Sequence, residues 1–249
     1  IIFEEYFGKS NNKSKHHIAS VTKSILSALI GIAIEKGYIK STEEIVMGYF
    51  PEYNFIFPNG IREKVTIQNL LTMTTPYSFD DWNEPLEALC TSPDWIEYAL
   101  QEMGQNGEIG TFKYSTAGAH LLSAILTRAT GRSTREFANE VLFSQIEIDS
   151  ICEYPMSSYG YDDLFGKKVK GWVHDPNNIT TGGWGLTLTV REMARFGQLY
   201  LNKGFWNGKQ IIPLKWIAQS IKPNLNHYGY MWWLFESNGL HAFAAMGDG

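Results

Sequence analysis

Two Ser-x-x-Lys spacings occur in this chain, Ser10/Lys13 and Ser20/Lys23. The first sits in "GKSNNKSKHH", a polar run with no element to hold it. The second opens "IASVTKSILSALIGIAIEKG", residues 18–37, which reads as an almost wholly apolar helix stopped by Gly37. Residues three apart on a helix share a face, so the Lys23 amine can approach the Ser20 oxygen. The helix N-terminus adds free N–H groups and the positive end of its dipole beside that oxygen. An apolar helix body would partly desolvate Lys23 and favour the neutral amine, and a hydroxyl beside a neutral amine is an activated nucleophile. A plainer role fits the same residues: Ser20 caps the helix and Lys23 stays solvated in its first turn.

A second piece is "KYSTAG", where Tyr114 stands just before another good helix, "STAGAHLLSAILTRATG". If it meets Ser20 and Lys23, its phenol can carry the serine proton on to a leaving group. The third piece is the closing "AAMGDG", whose glycines would let a substrate approach the backbone.

In that order, "ASVTKSILSALIGIAIEKGYI", "VTIQNLLTMTT", "YSTAGAHLLSAILTRATG", "GGWGLTLTVREMARFGQLYLNKGFWNGKQIIP" and "AAMGDG" resemble the serine beta-lactamase and penicillin-binding-protein-like superfamily. The nearest flavour is its class C-like branch, which includes esterases and nylon-oligomer hydrolases. The resemblance implies Ser20 as the acylated nucleophile, Lys23 as its activating partner and Tyr114 as general base and acid. It also implies half of an oxyanion hole at the Ser20 N–H, with the other half on a strand beyond Gly249. Family members of the beta-lactamase type carry Tyr-x-Asn, whereas the third position here is Thr116. Their third motif starts with Lys or His, and Asp248 takes that place if "GDG" is in register. A carboxylate there would repel the carboxylate of a penicillin. The expected substrate is therefore an uncharged or cationic ester, amide or peptide, with beta-lactams handled poorly. The resemblance leaves open a non-catalytic penicillin- or peptidoglycan-binding module and a D-Ala-D-Ala carboxypeptidase. It also suggests a bacterial periplasmic or extracellular setting.

The elements that must position these groups read as strand, then many helices, then strands: an α+β layout with the sheet assembled from both ends of the chain. "IIFEEYFG" at 1–8 reads as a strand, and "YGYMWWLFE" and "LHAFAAM" as a hairpin turning at Ser237-Asn238-Gly239. The expected architecture is an antiparallel sheet flanked by helices, from 1–37 and 186–249, plus a mainly helical domain over 38–185. Further sheet is expected before Ile1 and beyond Gly249, so the sequence reads as an incomplete record. Trp184, in "TTGGWGLT", is the aromatic best placed for a cleft wall, with Tyr161 a second candidate from the preceding loop region.

With 21 Lys plus Arg against 26 Asp plus Glu and no basic run, nucleic-acid binding has no electrostatic footprint. The longest apolar run, residues 25–34, is too short to span a bilayer. Cys90 and Cys152 form no metal or disulfide pattern and read as two buried free thiols. His16 and His17 read as solvated loop residues, and His120 as a satisfied core or boundary histidine. No His or Cys spacing implies a metal, and no cofactor is expected.

Overall fold

A computed structural model of the chain describes residues 3–53, 55, 60–82, 86–105, 107–224 and 226–248. Its α-helices are α1 (Val21–Glu35), α2 (Ile67–Leu71), α3 (Leu86–Thr91), α4 (Trp95–Glu102), α5 (Thr116–Thr130), α6 (Thr134–Ala138), α7 (Tyr161–Leu164), α8 (Val190–Leu201) and α9 (Leu214–Ser220). Its strands are β1 (His16–His17), β2 (Thr187–Leu188), β3 (Phe205–Trp206), β4 (Lys209–Gln210), β5 (Trp233–Ser237) and β6 (Leu240–Ala244). Among the described residues the strands form three antiparallel pairs, β1–β2, β3–β4 and β5–β6. The result is an α+β fold in which helices carry most of the core.

Every residue of α1 from Thr22 to Ala33 is buried. A helix apolar around its whole circumference needs neighbours on every side, and α1 finds them in α5, α6 and α9. Gly31 is where α9 comes closest: a Cβ added there would stand 2.3 Å from Cγ of the buried Trp216. The other central helix, α5, is buried from Thr116 to Leu126. Its ends follow local chemistry. The Ser115 hydroxyl accepts from the Gly118 N–H, and Gly131 closes the helix at φ 68°. Ser133/Glu136 and Thr189/Glu192 form reciprocal capping boxes that start α6 and α8.

The C-terminal hairpin turns where its sequence says it should. Ser237 pairs with Leu240, and Asn238 and Gly239 between them both have positive φ, 51° and 75°. That is the backbone a two-residue Asn-Gly turn requires.

The N-terminus differs from the expectation. Residues 3–8 form no strand, because strand propensity needs a partner and none pairs with them among the described residues. Glu4 instead ion-pairs with Arg191 at 2.8 Å, laying this segment along α8. The edge pairing falls later, where His16 pairs with Leu188 and His17 with Thr187. His17 is therefore a half-buried strand residue, not a solvated loop residue. The thiols differ too: both are free, but only Cys90 is buried and Cys152 is exposed. His120 is fully buried with its Nε2 2.9 Å from Asp175.

Two expectations follow from this packing. Gly31→Ala gains about 1 kcal/mol of helix propensity but must push aside a buried indole, which costs about 1–3 kcal/mol. The clash wins, so thermal denaturation should show a lower midpoint. Burial holds the His17 pKa below its ordinary value of 6.5, opposed by the Leu164 carbonyl. Below about pH 6.5 the unfolded chain takes up a proton that the folded chain resists, so this contribution is complete above that pH and fades beneath it. Denaturation midpoints measured from about pH 7.5 to 5 should fall less for His17→Gln than for the unsubstituted protein.

Candidate active site

The chain reaches α1 through a tight turn. Ala19 has φ 45°, a left-handed conformation rare outside glycine, and its N–H donates to His17 Nδ1 at 3.2 Å. Ser20 follows at the helix N-cap, yet its side chain makes no capping hydrogen bond. The amides of Val21, Thr22 and Lys23 turn back onto the carbonyls of Ile18, Ala19 and Ser20. The Ser20 N–H has no such partner among the described residues. Gly247 crosses this turn so closely that a Cβ on it would lie 2.4 Å from the Ile18 carbonyl oxygen and 2.9 Å from the Ser20 nitrogen. A side chain does not fit there, which gives that glycine its physical reason.

Lys23 is 1% exposed. Its Nζ lies 2.9 Å from Ser20 Oγ, 2.9 Å from Thr116 Oγ1 and 3.0 Å from the Gly183 carbonyl oxygen. This excludes the plainer role of a capping serine beside a solvated lysine. The Lys23 amine also stands 4.9 Å from the centroid of the Tyr114 ring.

Three separate segments supply those contacts. Thr116 begins α5, and the Asp81 carboxylate holds it at both ends. The Thr116 N–H reaches Oδ1 at 2.8 Å, and its hydroxyl reaches Oδ2 at 2.5 Å. The Asp81 N–H in turn donates to the Tyr114 carbonyl at 2.8 Å. Gly183 lies on a loop set by buried Asp175, whose Oδ1 accepts from the N–H groups of Asn177 and Ile179 while His120 holds Oδ2. The loop presses on α5: a Cβ on Gly182 would be 2.0 Å from the Ala119 carbonyl oxygen.

A cleft of about 570 Å³ opens over these groups, with Ser20, Tyr114, Thr116, Trp184 and Asp248 all in its lining. Tyr114 stacks with both Trp82 and Trp233, at 6.0 and 5.5 Å between ring centroids. Tyr228 meets it edge-on at 5.9 Å. Burial pushes the Tyr228 hydroxyl well above its ordinary value, with Tyr114 and Asp81 adding to the rise. The Tyr114 hydroxyl makes no hydrogen bond to Ser20 or Lys23; what joins the three groups is the cleft and the amine over the ring. Trp184 is buried and stacks on Trp95 and Phe165 while facing the cleft.

Tyr161 lies elsewhere. It is 76% exposed on α7 and lines a neighbouring depression with Leu86, Cys90 and Phe165. Phe165, four residues on, takes the place on the cleft wall. Sequence reasoning missed Asp81, Trp82, Trp233 and the Gly183 carbonyl. "FDDWNEP" has no spacing that marks one carboxylate over its neighbour, and a backbone carbonyl leaves no trace in residue type. Among the described residues no group of three His, Cys, Asp or Glu could hold a metal ion. No helix among them is long and apolar enough to cross a membrane.

A family model described as Beta-lactamase matches residues 1–244. An uncharacterized protein of Alkalihalophilus pseudofirmus is 27% identical over 94% of this chain and 67% of its own length. The 6-aminohexanoate-dimer hydrolase of Paenarthrobacter ureafaciens is 21% identical over 87% of this chain and 53% of its own length. Among solved structures, a Bacillus anthracis protein provisionally described as a 6-aminohexanoate-dimer hydrolase superposes with a TM-score of 0.73 at 25% identity, covering 98% of this chain and 65% of that one. A penicillin-binding protein from Bacillus halodurans gives a TM-score of 0.64 at 18% identity, covering 93% and 73%. The chain thus spans about half to two thirds of the curated relatives' lengths. With the family model covering nearly all of its residues and a Ser-x-x-Lys pair seated in a cleft of the same α+β fold, the chain belongs to the beta-lactamase family.

Proposed function

We propose that the protein is a serine hydrolase that cleaves an ester or amide bond through an acyl-enzyme. One observation carries this reading: Ser20 leaves its own helix uncapped and instead faces a buried lysine amine at 2.9 Å. In the first half-reaction Ser20 Oγ attacks the substrate carbonyl carbon as its proton passes to Lys23. The unpaired Ser20 N–H stabilises negative charge on the carbonyl oxygen. The bond to the leaving group then breaks, and that group departs with a proton relayed by Lys23 and the Tyr114 phenol. Water attacks the acyl-serine in the second half-reaction. It gives one proton back to Ser20 and releases the acid.

Two features support the substrate class. The cleft walls are aromatic, and two carboxylates, Asp81 and Asp248, line the cleft with no cationic side chain among the lining residues. That balance disfavours an anionic substrate and suits an uncharged or cationic ester or amide. The relatives include a 6-aminohexanoate-dimer hydrolase, which supports the hydrolase reading.

The test is labelling by a fluorophosphonate, followed by turnover of p-nitrophenyl esters. Ser20→Ala should abolish labelling and lower ester turnover by about 10³-fold or more, with Lys23→Ala close behind. An unlabelled wild-type protein would sink the proposal, and labelling without turnover would favour a binding module. Nitrocefin turnover faster than that of the esters would overturn the substrate class.

A further inference from the structure

We infer that Asp81 is a positioning residue that acts through Thr116, fixing the direction of the hydrogen bonds around Lys23 so that the amine keeps a lone pair for Ser20. The inference rests on the acyl-enzyme reading above and adds the group that sets up its base.

Donor and acceptor capacity fixes the direction of each hydrogen bond here. The Asp81 carboxylate can only accept, and its two oxygens take the N–H and the hydroxyl of the same residue, Thr116. The single hydroxyl proton of Thr116 is thereby committed to Asp81. Toward Lys23 the Thr116 oxygen has only lone pairs left, so it must accept. The Gly183 carbonyl, 3.0 Å away, is an acceptor by nature. Two of the three contacts of Nζ are therefore fixed as N–H donations by the lysine. A neutral amine has two N–H bonds and one lone pair. With both N–H groups spent, the lone pair is left for the third neighbour, Ser20 Oγ at 2.9 Å, whose proton then points at nitrogen. An ammonium in the same place would donate to all three. Loss of one proton from Lys23 thus turns Ser20 from acceptor to donor with no heavy atom moving.

An asparagine at position 116 would bring a carbonyl oxygen that accepts without help. A threonine hydroxyl can point either way, and here a carboxylate removes the choice. Asp81 also places its negative charge beside the base. The Tyr114 ring lies beneath the amine, with Tyr228 edge-on to that ring.

Asp81→Asn inverts the arrangement. The backbone N–H of Thr116 can only donate, so the new amide must turn its oxygen there and its NH₂ toward the Thr116 hydroxyl. The hydroxyl proton then swings toward Lys23 and competes with Ser20 for the lone pair. We expect fluorophosphonate acylation of Ser20 to slow by about 10²-fold, the scale of losing a well-set base. Thr116→Val should slow acylation comparably, Thr116→Ser should recover most of that loss, and Asp81→Asn should add little in the Thr116→Val background.

Acylation of Asp81→Asn within a few-fold of wild type would overturn the inference. So would an equal Asp81→Asn loss in both backgrounds, which would mean that Asp81 acts without Thr116. If near-ultraviolet circular dichroism shows that Asp81→Asn has not folded, the valine and serine variants decide alone, and a valine variant as fast as wild type refutes the relay. An unlabelled wild-type protein would remove the acyl-enzyme reading itself, which separates that failure from failure of the relay.

Discussion

The burial of one lysine amine organises this molecule. A cationic or amine group out of contact with water is costly unless its hydrogen-bonding capacity is met. Lys23 meets it with three partners: Ser20 one turn back on its own helix, Thr116 at the start of α5 and the Gly183 carbonyl on a distant loop. Each acceptor is in turn held by something else. The apolar circumference of α1 fixes where the amine can be, the Asp81 carboxylate fixes Thr116, and the buried His120–Asp175 pair fixes the loop. The site is therefore a junction of elements, and its geometry depends on all of them being packed.

The same junction explains two strained or crowded places. Ala19 adopts a left-handed backbone, at a cost of order 1 kcal/mol or more, in the turn that leads into Ser20, whose side chain faces the amine and does not cap the helix. Gly247 lies against the Ser20 nitrogen, where any side chain would collide. The hairpin that carries Gly247 thus sits down on the turn that carries the hydroxyl, and the cleft is bounded on that side by backbone.

The walls of the cleft have their own logic. Tyr114 stacks with Trp82 and with Trp233, so its ring is held by aromatic contacts and not by a hydrogen bond to Ser20 or Lys23. Large flat side chains bury much area at little rotamer cost. Trp82 is 75% exposed at the mouth even so. Aromatic surface and two carboxylates, Asp81 and Asp248, thus line the same hollow.

What the sequence determined by itself was whatever depends on neighbours a few residues apart. The apolar body of α1 with its Gly37 stop, the Gly131 cap, the Ser133 capping box, the Asn238-Gly239 turn and the three-residue spacing of Ser20 and Lys23 are all local, and all were legible. Tertiary structure decided the rest. Residues 3–8 have strand composition, yet their Glu4 pairs with Arg191 and no strand among the described residues pairs with them. Tyr161 and Phe165 are four apart on one loop-and-helix segment, and only packing chose Phe165 for the cleft. Asp81 is one acid in "FDDWNEP" until α5 brings Thr116 to it, 35 residues away in sequence. Helix caps and turns are written in the types of adjacent residues, whereas the partner of a buried polar atom is chosen by the folded chain, and no spacing along the sequence encodes it.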